Sequence, residues 1–168
     1  MTTDEHHCKA SGTLARCAVL TISDTRTEAN DSSGRFIRDS LGAAGHSVAA
    51  YQIVKDDPEA IERQLRTWTR NSDVQVICCT GGTGIAPRDS TIEVAERLIG
   101  KKLDGFGELF RMLSWEEIGA AAMLSRAVAG LAEETMLFVM PGSTNAVRLA
   151  MHKLIIPELS HLIWVRSA

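Results

Sequence analysis

The run Thr80-Gly81-Gly82-Thr83-Gly84, followed closely by Pro87-Arg88-Asp89-Ser90-Thr91, has the residue types of a phosphate site. An apolar stretch with the character of a buried strand, Val74-Gln75-Val76-Ile77-Cys78-Cys79, precedes it, and a helical pattern follows. Glycines let a backbone come close to an anion and turn its N–H groups inward. A carboxylate just beyond, Asp89, suits magnesium, a hard cation that takes oxygen ligands. The chemistry this points to is phosphoryl or nucleotidyl transfer. The loop is not a Walker A loop, because no Gly-Lys-Ser/Thr follows, and the Gly-x-Gly-x-x-Gly spacing of dinucleotide sites is absent. Its plainer reading is a tight turn between strand and helix, although three glycines and two threonines exceed what a turn needs.

Further candidates carry alternatives of their own. Asp89 suits a helix N-cap as well as a metal. Asp56 suits turn chemistry ahead of Pro58, or a metal shared with Asp89 from an adjacent strand end. One magnesium held between the two would offset charge as a nucleophilic phosphate approaches a triphosphate. Arg126, after Ser125, is a surface arginine or a fork for phosphate. Glu108, between Phe106 and Phe110, binds ligand or caps a short helix. Met112, Leu113 and Trp115 read as core or subunit contact rather than a cofactor box. His6-His7-Cys8 reads as part of a flexible N-terminal tail over residues 1–14 rather than a metal site.

The elements that must position these residues alternate between strand and helix. Strands are expected at Cys17–Ser23, Ser47–Val54 and Val74–Thr80. A helix over Ser33–Ala44 places Phe36, Ile37, Leu41 and Ala44 on one face and stops at Gly45. The next is capped by Asp57, opens on Pro58, and repeats Ile61, Leu65 and Trp68 at helical spacing. Ile92, Ala95 and Ile99 mark the helix behind the glycine loop. The stretch 100–124 predicts two short helices, at Phe106–Leu113 and Trp115–Leu124. Strands at Ala127–Leu131 and Thr135–Met140, joined at Glu133-Glu134, predict an antiparallel pair. A last helix starts from Pro141-Gly142-Ser143, turns Val147, Ala150, Met151, Leu154 and Ile155 inward, and is bent or restarted at Pro157. The fold expected is a single α/β domain over 15–168. It has three layers, α/β/α, and a mostly parallel sheet containing one antiparallel strand. Ligands of such sheets bind beyond the carboxyl ends of the strands. Ser23-Asp24, Asp56-Asp57, the glycine loop and Pro141-Gly142-Ser143 all fall at such ends.

Composition removes several classes. The 168 residues suit one domain, and 45% hydrophobic content is that of an ordinary globular chain. A net charge of −3 without a basic stripe gives no attraction to nucleic acid. No apolar run approaches the about 20 residues that cross a bilayer. The polar N-terminus lacks a signal-peptide pattern, so a cytoplasmic location is expected. Cys17, Cys78 and Cys79 sit in apolar runs and read as core residues, the adjacent pair facing opposite sides of a strand.

Thr80-Gly81-Gly82-Thr83-Gly84, Arg88-Asp89-Ser90-Thr91, Phe106-Gly107-Glu108, Ser125-Arg126-Ala127-Val128-Ala129-Gly130 and Met140-Pro141-Gly142-Ser143 occur in this order. Together, from about Arg16 to about Pro157, they resemble the MoaB/MogA family of molybdenum-cofactor biosynthesis proteins. Phe110–Gly119 is more similar to the MoaB branch, and Pro-Gly-Ser-Thr stands where the MogA branch commonly has Pro-Gly-x-Pro. The resemblance implies a molybdopterin adenylyltransferase that transfers AMP from ATP to the molybdopterin phosphate and releases pyrophosphate. The alternative is a non-catalytic molybdopterin- or nucleotide-binding protein of the same pathway. By the same resemblance Asp56 and Asp89 would hold Mg2+, and Gly81, Gly82, Thr83 and Gly84 would cradle phosphates. Ser23, Asp24, Glu108, Ser125, Arg126, Pro141, Gly142 and Ser143 would hold the pterin. The partners implied are molybdopterin, ATP and further copies of the chain, as homotrimer or hexamer.

Overall fold

The computed structural model describes residue 10 and residues 12–167. The expectations for His6-His7-Cys8 and most of the tail lie outside the described residues. Ala10 is buried, and the Thr13 carbonyl accepts from Ser160 Oγ at 2.8 Å.

Six strands form one sheet in the order β2-β1-β3-β6-β5-β4. They are β1 Arg16–Ile22, β2 Ser47–Val54, β3 Val76–Thr80, β4 Lys101–Lys102, β5 Val128–Ala132 and β6 Thr135–Met140. The first four in spatial order are mutually parallel. β5 runs against both of its neighbours. Alternate side chains enter opposite faces, as a pleated strand requires. Cys17, Val19, Val76, Cys78, Phe138 and Met140 go to one core. Ala18, Leu20, Ile77, Cys79, Leu137 and Val139 go to the other. Cys17, Cys78 and Cys79 are free and buried.

Helices cover both faces. On the first lie α1 (Ser32–Ala43), α4 (Asp104–Ile118), α5 (Thr144–Ala150) and α6 (Ile156–Ser167). On the second lie α2 (Pro58–Thr69) and α3 (Thr91–Leu98). Asp57 caps α2 by accepting from Ala60 N–H at 2.8 Å, and Pro58 takes its first turn. Ile61, Leu65 and Trp68 are buried at the expected spacing. Gly45, at φ 86°, follows α1. Among the described residues no helix is long and apolar enough to cross a membrane.

The stretch 100–124 differs from expectation. β4 precedes one helix of 15 residues, α4, and a 3₁₀ segment, Gly119–Leu124, follows it. The break expected near Ser114 does not occur: the helix runs on through it, with Ser114 buried and its Oγ donating to the Phe110 carbonyl at 2.8 Å. Gly119, at φ 61°, ends it instead. Met112 and Trp115 are exposed rather than core, and only Leu113 packs against the interior. At the other end α5 passes into a π-helical turn, Met151–Ile155, before α6, so the change of helical register comes just ahead of Pro157.

Candidate functional site

The carboxyl ends of β1, β2, β3 and β6 meet at one edge because the strands are parallel and in register. Ile22 pairs with Val54, Thr21 with Thr80, and Thr80 with Met140. The chain leaving each end therefore reaches one rim. It carries Ser23 and Asp24 from β1, Asp56 from β2, the glycine loop from β3 and Pro141-Gly142-Ser143 from β6.

Close packing explains why the loop needs glycine. Gly81 has φ 99° and donates its N–H to the Met140 carbonyl at 3.2 Å. A Cβ there would lie 2.3 Å from the Ile22 carbonyl oxygen. Gly82 has φ 61°, and a Cβ would lie 2.3 Å from Thr91 Oγ1 and 2.9 Å from Asp56 Oδ1. Gly142 packs on Gly81, and Thr80 Oγ1 ties the loop to the Pro141 carbonyl at 3.0 Å. No described residue accepts the N–H groups of Gly82, Thr83 or Gly84. The loop thus offers unpaired backbone donors beside the carboxylates.

Several rim side chains have structural partners. Ser23 Oγ accepts from the N–H groups of Thr25 and Arg26. Ser143 caps α5 by accepting from Ala146 N–H at 3.2 Å. Asp24 accepts from Asp56 N–H at 3.2 Å and pairs with Arg88 at 3.3 Å. Asp89 is not a helix cap: the cap position of α3 is Ser90, and Asp89 Oδ2 accepts from Ala86 N–H at 3.0 Å.

Electrostatics single out Asp56. Burial raises its carboxyl above the usual aspartate range, Asp89 raises it further, Arg88 opposes, and Asp24 adds to the rise. Its Oδ1 is buried without a protein partner, as are Ser90 Oγ and Thr91 Oγ1. A cation between Asp56 and Asp89 would relieve both conditions. The described residues contain no group of three or more His, Cys, Asp or Glu side chains placed to hold a metal. The donor set therefore suits a magnesium that takes one or two carboxylates and completes its shell with phosphate oxygens and water.

Glu108 and Ser125 lie apart from this rim. They line a cleft of about 500 Å³ with Glu93, Lys102, Arg111 and Arg126. Glu108 is exposed in the body of α4, so it caps nothing. Arg126 joins the two regions. Its Nε donates to the Thr83 carbonyl at 3.0 Å, and its two terminal nitrogens donate to the two oxygens of Glu93. The pairing lowers the Glu93 carboxyl below its usual range and raises the Arg126 guanidinium. Sequence reasoning missed Glu93. It stands in the first turn of α3, where an acidic residue needs no further reason, and its partner lies 33 positions away.

Residues 18–161 match the family model described as a probable molybdopterin binding domain. The molybdenum cofactor biosynthesis protein B of Bacillus cereus is 51% identical over 157 residues, covering 93% of each chain. That of Bacillus subtilis is 49% identical over 164 residues, covering 97% of this chain and 96% of its own. A crystal structure of a molybdenum cofactor biosynthesis protein B superposes with a TM-score of 0.89 at 50% identity, over 92% of this chain and 96% of that one. The tungsten cofactor synthesizing protein MoaB from Pyrococcus furiosus superposes with a TM-score of 0.82 at 36% identity, over 92% and 98%. With a matching domain, half of its residues shared and the same fold, this chain belongs to the molybdenum cofactor biosynthesis protein B family.

Proposed function

We propose that the chain is a molybdopterin adenylyltransferase, using ATP and magnesium, and that it works as a homotrimer or hexamer in the cytoplasm. The observation that carries the reading is the facing of two groups at one rim. Asp56 and Asp89 repel one another across the site, and the unpaired N–H groups of Gly82, Thr83 and Gly84 stand beside them. Donors of that kind fit the phosphates of a nucleotide, and the carboxylates fit its cation.

In the reaction a terminal phosphate oxygen of molybdopterin attacks the α-phosphorus of ATP. The new P–O bond forms as the bond from the α-phosphorus to the α,β-bridging oxygen breaks, and pyrophosphate leaves with that electron pair. Little covalent work falls to the protein, so its task is positioning and charge. Magnesium, when bound, neutralises charge that builds on the phosphates. Asp56 and Asp89 would hold it, and the loop amides would orient the triphosphate. Asp24 would keep Asp56 in place through the Asp56 N–H and keep Arg88 turned toward the carboxylates. Glu108 and Ser125 would receive the pterin in the cleft, and the Pro141-Gly142-Ser143 turn would close the rim above Gly81.

The test is pyrophosphate release from ATP with magnesium and freshly prepared molybdopterin. Wild type is expected to release it in a magnesium-dependent way. Asp89→Asn, which keeps the bond to Ala86 N–H within reach of its amide oxygen, is expected to fold and to lose about a hundredfold or more in rate. Equal rates in both proteins would remove Asp89 from the machinery. Binding of molybdopterin with no release by either would leave the non-catalytic binding protein as the better reading.

A further inference from the structure

The three contacts of Arg126 form a clamp on the glycine loop. The fork engages Glu93 on both terminal nitrogens, a bidentate arrangement that fixes the guanidinium in plane and direction. With the guanidinium so fixed, its Nε–H has one direction open to it, and it takes the Thr83 carbonyl at 3.0 Å. A trans peptide is planar, with its C=O and N–H pointing opposite ways. Holding the Thr83 carbonyl toward Arg126 therefore aims the Gly84 N–H away from it. One peptide earlier the same thing happens by another route. The Gly82 carbonyl accepts from Thr91 N–H at 3.0 Å, which sets the direction of the Thr83 N–H. Thr91 and Glu93 both belong to the first turn of α3. The helix thus grips two successive peptides of the loop, one directly and one through Arg126.

We propose that Arg126, clamped by Glu93, is a positioning residue that sets the amide direction of the phosphate-binding loop, and that it does not serve as an anion ligand for the pterin. The proposal rests on the reading of the loop as a phosphate site. It assigns Glu93 a role in nucleotide affinity that acts through Arg126. A lysine at 126 keeps the charge but lacks the planar fork, so it cannot hold Glu93 and Thr83 together.

Two measurements on Glu93→Gln, Arg126→Lys and the double variant decide it. The first is backbone amide relaxation in the ligand-free protein. Order parameters at Thr83 and Gly84 are expected to fall from about 0.85 toward about 0.6 in both single variants, with residues 76–79 of β3 unchanged. The second is calorimetric binding of magnesium-ATP. Both single variants are expected to bind about threefold to tenfold more weakly, because a loosened loop must be ordered on binding. The double variant is expected to be no worse than Arg126→Lys, since the two residues act as one unit. Unchanged order parameters in both variants would overturn the proposal. So would a Glu93→Gln protein that binds molybdopterin more tightly, which is what a freed anion-binding fork would do. If wild type fails to bind ATP at all, the reading of the loop as a nucleotide site fails, while the relaxation data still judge the clamp.

Discussion

Asp56 stands where burial and two neighbouring carboxylates all oppose its charge, with only the exposed Arg88 against them. A carboxyl raised in the folded state costs stability once the unfolded chain would ionise it. The penalty is absent below the ordinary aspartate pKa, where both states carry the proton, and it is fully present above the raised folded value. Asp56→Asn is therefore expected to raise the melting temperature at pH 7 in the presence of a chelator. That gain is expected to shrink as pH falls below the raised folded value and to vanish below the ordinary aspartate value. Adding magnesium and ATP should reverse the order, because wild type alone gains the stability of a bound ligand. A variant that melts lower than wild type at pH 7 in chelator would contradict this account of Asp56. The acidic pair and the glycine run were legible in the sequence because residue type and order carry them. The Arg126–Glu93 clamp was not, since nothing near either residue points to a partner across the fold.

At the scale of elements, the loops at the rim are only as well placed as the ends of β1, β2 and α1 that bear them. Asp31 secures that junction. It is buried at the N-cap of α1 and accepts from Gly34 N–H at 2.9 Å, Thr21 Oγ1 at 2.6 Å and Tyr51 Oη at 2.7 Å. One carboxylate thus joins the helix to two strands. Asp31→Ala would strand all three donors and remove the cap, and is expected to cost about 2–4 kcal/mol in chemical denaturation. A loss below about 0.5 kcal/mol, the size of an ordinary surface change, would refute it. The elements best read from sequence were those with explicit punctuation. Asp57-Pro58 marks the start of α2 and Gly45 the end of α1 because capping and left-handed backbone are local physics. The two short helices expected at Phe106–Leu113 and Trp115–Leu124 are one helix as far as Ile118, with Ser114 inside it and bonded to its own preceding turn. β4 was missed because two exposed lysines have no apolar alternation, and their pairing with Gly130 and Leu131 is decided by the rest of the sheet.

The molecule as a whole leaves an apolar surface along the outer side of α4 and the 3₁₀ segment that follows. Leu109, Met112, Trp115 and Ile118 recur every third residue, and Met123 and Leu124 extend them. Trp115 is 62% exposed and Met123 80%. Single apolar residues on a surface are ordinary, but a band of them such as this is the kind of surface that an interface between copies would use. Burying each large side chain is worth about 1.5–3 kcal/mol, so covering this band would supply much of the free energy of a stable assembly. Self-association also fits its place, since Met123 lines the same cleft as Glu108 and Ser125 and a neighbouring copy would border that cleft. A large aromatic is the side chain most able to dominate such a contact. Trp115→Glu puts a charge at that point, and burying it unpaired would cost several kcal/mol. Sedimentation at micromolar concentration is expected to give a trimer or hexamer for wild type and a smaller species for Trp115→Glu, with the circular dichroism of the two unchanged because the side chain supports no core. A wild type that sediments as a monomer, or a variant with the mass of wild type, would show that this band has another use.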